Sequence, residues 1–168
     1  MSERKQILDV QHIHMRFTSK GVCVRAVTDV SFTVNEGETI GIVGESGCGK
    51  TTLGRCIVRA YEPSEGEVFY TAEDGETVNF TKIDAKTMKK YRKEIQMIFQ
   101  DPYSSLDPRM TVYDIIKEPL AANFPRMPKS EMDRRIMDIA AKVGLNTSYL
   151  MRYPHAFSGG QRQRIGIA

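Results

Sequence analysis

Apolar and polar residues alternate through residues 7–14 and again through 22–34, where Val30, Phe32 and Val34 share one face. A period of two marks a half-buried strand. Thr39-Ile40-Gly41-Ile42-Val43 reads differently: it is short, apolar and partly β-branched, as expected of a strand covered on both faces. Glu36-Gly37 marks the turn into it. From Thr51 to Arg59 the period becomes helical, with Leu53, Cys56 and Ile57 on one face. Glu65-Gly66 then opens a hairpin that runs from Glu67 to Ala72, turns at Asp74-Gly75 and returns from Thr77 to Phe80. Residues 84–93 predict a helix, and Glu94 to Phe99 a second apolar strand ended by Gln100-Asp101-Pro102. Beyond it the pattern changes. Residues 103–157 hold five of the seven prolines and no strand-like run, but they do carry helical spacing. The clearest case starts at Ser130 as N-cap, continues through Ile136, Ile139, Ala140 and Val143, and stops at Gly144. No internal repeat or low-complexity linker interrupts the chain.

The 168 residues match the length of one ordinary domain, and 40 % apolar with 27 % charged residues describes a soluble globular chain. No stretch approaches the ~20 apolar residues that span a bilayer, and Met1 to Ile7 lacks the apolar core of an export signal. Cys23, Cys48 and Cys56 are odd in number, widely spaced and without metal-ligand pattern, which fits a reducing cytoplasm better than a disulfide framework. Net charge is only +3. The basic group Lys86, Lys89, Lys90, Arg92 and Lys93 reads as a solvated helix face, so no nucleic-acid partner is expected.

Between the apolar strand and the first helix stands Gly44-Glu45-Ser46-Gly47-Cys48-Gly49-Lys50-Thr51, followed by Thr52. It fits G-x-x-x-x-G-K-[ST], a loop that wraps nucleotide phosphates with backbone N–H groups. Side chains would block that approach, hence the glycines. The helix start adds unpaired donors and the positive end of its dipole. Lys50 suits the β- and γ-phosphates, and the Thr51 hydroxyl suits a bridging Mg²⁺. The competing reading, a flexible glycine turn with an exposed lysine, is disfavoured by the strand before and the helix after. Cys48 is either a small space-filler or, at a helix start, a reactive thiol.

A second glycine-rich helix start, Ser158-Gly159-Gly160-Gln161, leads into Arg162-Gln163-Arg164-Ile165-Gly166-Ile167-Ala168. Taken alone it is as readily a capped helix after a loop as an anion site. With the first loop it resembles the nucleotide-binding subunit of an ATP-binding cassette (ABC) transporter over residues 7–168. Gly44 to Thr51 matches the Walker A loop, Gln100 the Q-loop glutamine, and Ser158 to Gln161 the family signature. The stretch Phe99 to Val112 and Arg152-Tyr153-Pro154-His155 are similar to ATPases of bacterial oligopeptide and dipeptide importers, and nickel importers share much of them.

The resemblance implies an α/β fold: an ABC-type P-loop NTPase core with an N-terminal antiparallel β-subdomain and a helical insertion, its Walker B strand falling beyond Ala168. Residues 1–100 would form the β-subdomain and Walker A core, 101–157 the helical subdomain, and 158–168 the signature and the start of its helix. It implies ATP and Mg²⁺ as ligands, with Gly44 to Thr52 on the phosphates and Thr51 and Gln100 at the metal. Lys50 and Gln100 would carry the catalytic roles. Phe17 falls where the family stacks an aromatic on adenine, with a core residue as the alternative. Ser158, Gly159, Gly160 and Gln161 would touch ATP held by a second subunit in a head-to-tail dimer. Further implied partners are transmembrane permease subunits and, indirectly, a substrate-binding protein, with the chain cytoplasmic and peripheral on the inner face of the membrane.

Two positions depart mildly from the family: Ala156 stands in place of an acidic residue and Phe157 in place of leucine. The aspartate and glutamate of the Walker B strand match no residue up to Ala168, so this chain alone is expected to be poorly stable and slow to hydrolyse ATP. A non-hydrolysing nucleotide-binding fragment and a soluble non-transport ABC ATPase stand as the alternative functions.

Overall fold

The computed structural model describes residues 4–101 and 105–168. Residues 102–104, part of the importer-like stretch, lie outside the described residues, as do residues 1–3 at the start. Two compact units divide the chain, Met1–Met97 and Ile98–Ala168.

The first unit is built on an antiparallel sheet. β1 (Gln6–Ser19) and β2 (Val22–Asn35) are each longer than their alternation predicts, because a two-residue turn joins them directly. Lys20 and Gly21 both adopt positive φ, 48° and 79°, the twist that suits the right-handed twist of paired strands. β3 (Glu65–Thr71) and β4 (Thr77–Asn79) form the expected hairpin, with Gly75 in the turn, and the sheet order is β2-β1-β3-β4. Val10, Ile13 and Val68 point from the sheet into the core, where α1 (Lys50–Ile57) adds Leu53, Cys56 and Ile57. α2 (Ala85–Tyr91) is capped by the Asp84 side chain, which accepts from the Thr87 N–H, and buries Met88 and Tyr91. The rings of Tyr70, Phe80 and Tyr91 pack together with centroids 5.2–6.2 Å apart. The basic residues of α2 face solvent, as the sequence indicates.

The predicted strands at 39–43 and 94–99 are not found as strands: neither belongs to a ladder among the described residues. Val43 is 91 % exposed and Ile98 59 %. A strand is defined by its neighbour, and an apolar run without one has neither the ladder's hydrogen bonds nor the burial that its composition suggests.

The second unit is helical. α3 (Val112–Asn123) begins at Thr111, whose hydroxyl accepts from the Asp114 N–H, and α4 is Lys129–Lys142. Ser130 is therefore not the N-cap. Pro128 holds that position, its φ of −59° admitting the helix two residues earlier. Gly144 ends the helix at φ +73°, as expected. α5 (Gly159–Ile167) completes the unit, and Val112, Ile116, Ile136, Ala140, Leu150, Phe157 and Ile165 form its core. Phe157, the departure from leucine, is buried in that core.

Candidate functional site

The loop from Gly44 to Gly49 is shaped by close contacts of its own backbone. Gly49 is the N-cap of α1 at φ +97°, and a Cβ there would lie 2.0 Å from the Ala26 carbonyl oxygen of β2. Only glycine lets the loop pass so near the strand. Inside the loop, the Cys48 N–H donates to the Glu45 carbonyl at 3.3 Å. Ser46 and Gly47 face solvent.

Lys50 is the first residue of α1 and curls back over the loop. Its ammonium donates to the carbonyls of Gly44 at 2.8 Å and Glu45 at 2.5 Å, and lies 3.5 Å from the Cys48 sulfur. The first turn of α1 contains no acidic residue, and no side chain caps it. The N–H groups of that turn have no partner within the helix. Donors, dipole and a cation thus lie together at one exposed loop, a combination that suits a polyphosphate. Thr51 and Thr52 follow in the same turn, Thr51 exposed. Among the described residues no group of three or more His, Cys, Asp or Glu side chains could hold a metal by itself. A hydroxyl beside bound phosphates fits Mg²⁺, which takes few protein ligands when phosphates supply the rest.

Phe17 lies on β1 directly across the ladder from Val24 and is 40 % exposed. Gly49 packs on Ala26 and Val27, so the β1–β2 hairpin carries both Phe17 and the strand that the phosphate loop touches. The ring is partly open, against the reading of Phe17 as an interior residue. Three residues that the sequence did not single out support this end of the hairpin: Tyr61, whose ring packs edge to face with Phe17, Arg55 on α1, which donates to the Tyr61 hydroxyl, and Ser64, whose hydroxyl accepts from the Arg16 N–H. Only the aromatic at 61, just past the helix, could have hinted at this.

In the second unit, Gln100 is exposed in irregular chain. Ser158 caps α5 through a reciprocal pair: its hydroxyl oxygen accepts from the Gln161 N–H at 3.4 Å, and Gln161 Oε1 accepts from the Ser158 N–H at 3.0 Å. Gly159 and Gly160 fill the first two helical positions, and a Cβ on Gly160 would meet open space. Arg162 Nε donates to the Phe157 carbonyl and Arg164 Nη1 to the Gly144 carbonyl, fixing α5 to its neighbours.

The family model described as "ABC transporter" matches residues 27–168. The oligopeptide transport ATP-binding protein OppF of Bacillus subtilis is 48 % identical over 164 residues, covering 98 % of this chain and 52 % of the relative. The dipeptide transport ATP-binding protein DppF of Lactococcus lactis subsp. cremoris is 44 % identical over 171 residues, covering 100 % of this chain and 53 % of its own length. The chain therefore spans about half the length of the curated relatives it matches. Among solved structures, the dimeric ATP-binding cassette MJ0796 in a post-hydrolysis state bound to ADP and Pi superposes with a TM-score of 0.84 at 25 % identity. That match covers 96 % of this chain and 67 % of the cassette.

Proposed function

The chain belongs to the ABC transporter family, and from that premise we propose that it is the nucleotide-binding part of an ATP-driven peptide importer. One observation carries the reading: the uncapped start of α1 at Gly49, with the Lys50 ammonium resting on the loop carbonyls of Gly44 and Glu45. On arrival of ATP, Lys50 exchanges the carbonyls of Gly44 and Glu45 for oxygens of the β- and γ-phosphates. The first-turn N–H groups hold the same phosphates, and the Gly44–Gly49 backbone wraps around them. The Thr51 hydroxyl would help hold Mg²⁺, which would supply charge neutralisation at the phosphates. Gln100 orients the attacking water, and Ser158 to Gln161 meet the nucleotide of a second, head-to-tail subunit. Catalysis of this kind is positioning and electrostatics more than covalent chemistry.

Peptides as cargo are supported by the names of the relatives, and a second ATPase subunit by the dimeric cassette. The remaining partners are permease subunits and a substrate-binding protein. No helix among the described residues is long and apolar enough to cross a membrane. That agrees with a chain docked peripherally on the inner face of the cell membrane. Titration calorimetry of the parent chain and of Lys50→Ala with Mg-ATP tests the site. Loss of most of the affinity in the variant is the expected result, and equal binding by both would sink the assignment.

A further inference from the structure

Phe17 lies near the tip of a hairpin, where an unsupported phenyl ring would sample several rotamers. It is not unsupported. The Tyr61 ring packs against it edge to face, with centroids 5.6 Å apart and planes at 82°, the arrangement that the aromatic quadrupole favours. Tyr61 belongs to the segment leaving α1 and is fixed from that helix. Arg55 Nη1 donates to the Tyr61 hydroxyl at 2.8 Å, the guanidinium carbon lies 5.3 Å from the ring centroid, and the Tyr61 N–H donates to the Arg55 carbonyl at 3.1 Å. The same segment is fastened to β1 just before Phe17. The Ser64 N–H donates to the His14 carbonyl at 2.8 Å, the Arg16 N–H donates to Ser64 Oγ at 3.0 Å, and Arg16 pairs with Glu65 at 2.8 Å. The helix that opens at the phosphate loop thus reaches Phe17 through Arg55 and Tyr61.

We propose that Tyr61 is a positioning residue for base recognition, holding the Phe17 ring at the angle on which a nucleotide base stacks. This rests on the reading of Gly44–Thr51 as a nucleotide site with Phe17 as its base platform. Tyr61 acts through Phe17 and leaves the phosphates alone, so its loss separates the two halves of the ligand.

The experiment titrates ATP and inorganic tripolyphosphate, each with Mg²⁺, into the parent chain and five variants: Phe17→Ala, Tyr61→Leu, Tyr61→Phe, Arg55→Gln and the double Phe17→Ala/Tyr61→Leu. Tyr61→Leu should weaken ATP about 3- to 10-fold, the size of an aromatic-pair contact, with tripolyphosphate unchanged. Tyr61→Phe keeps the ring and the cation over it, and should stay within about 2-fold of the parent. Arg55→Gln leaves the ring and its backbone bond but removes both side-chain anchors, so ATP should weaken about 2- to 5-fold. The double variant should bind no worse than Phe17→Ala alone, because the two act as one unit. Should Tyr61→Leu fail to fold, Arg55→Gln decides, and an unchanged ATP affinity there overturns the proposal. Equal losses for both ligands, or additive losses in the double variant, overturn it while the phosphate site stands. Phe17→Ala without effect on ATP removes the platform and the proposal together. Failure of the parent to bind either ligand overturns the nucleotide reading itself.

Discussion

A methyl group on Gly49 would press on the Ala26 carbonyl at 2.0 Å from a residue already at φ +97°, so no side-chain rotation can relieve it. Gly49→Ala is expected to cost about 2–4 kcal/mol of stability, read by denaturant titration, and to abolish ATP binding. Gly44→Ala should be milder, since its new Cβ meets only the Cys48 sulfur, which can move. Cys48 gives a second test. It is exposed within the loop, whereas Cys56 is buried and burial pushes its thiol pKa up, leaving less thiolate at neutral pH. Iodoacetamide should therefore label Cys48 faster than Cys56, and saturating ATP should protect Cys48. Mass spectrometry showing no protection would remove Cys48 from the lining of the site. The glycines, Lys50 and Thr51 were legible in the sequence because their spacing is the motif. The engagement of Lys50 with Gly44 and Glu45 was not, since spacing says nothing about where a flexible ammonium rests.

Turns and most caps written in neighbouring residues were legible, although the start of α4 lies at Pro128 and not at Ser130, while two segments that need a distant partner were misread. The hairpin at Asp74-Gly75 and the Asp84-capped helix follow from residues within a turn of each other. The segments at 39–43 and 94–99 looked like strands, but pairing is a property of two segments and only one is visible in a local pattern. Valines 43 and 68 make the difference measurable. Val43→Ala should change stability by less than about 0.5 kcal/mol, while Val68→Ala, at 0 % exposure, should cost about 2 kcal/mol or more. The signature helix offers another test: Ser158→Ala removes one half of its capping pair and should cost about 1 kcal/mol, seen as faster amide exchange in the first turn of α5. The β3–β4 hairpin and α2 also share a titrating contact. Hydrogen bonds from Lys90 and Tyr91 hold the Glu76 carboxyl below its ordinary range. A depressed carboxylate pKa stabilises the fold above its unfolded value, near 4.5, and that support fades as pH falls through the lower folded value. Glu76→Gln should flatten the acid side of a melting-temperature profile. An unchanged profile would mean that the contact contributes nothing in solution.

Across the whole molecule, the change of composition near residue 103 correctly announced a helical region, and the boundary between the units falls at Met97/Ile98. Each unit has its own core, so Ile136→Ala, at a fully buried site, should cost about 2–5 kcal/mol and expose amides chiefly in α3, α4 and α5. Equal loss of exchange protection over β1 and β3 would show one cooperative structure instead. The two glycine-rich helix starts differ in a way that reaches the bench. α5 completes its own end with Ser158 and Gln161, whereas no side chain caps the first turn of α1. Buffer composition then becomes a ligand variable. At equal ionic strength, sulfate or phosphate should compete with nucleotide far more than chloride does, so an apparent affinity measured for this chain belongs to its buffer as much as to its sequence.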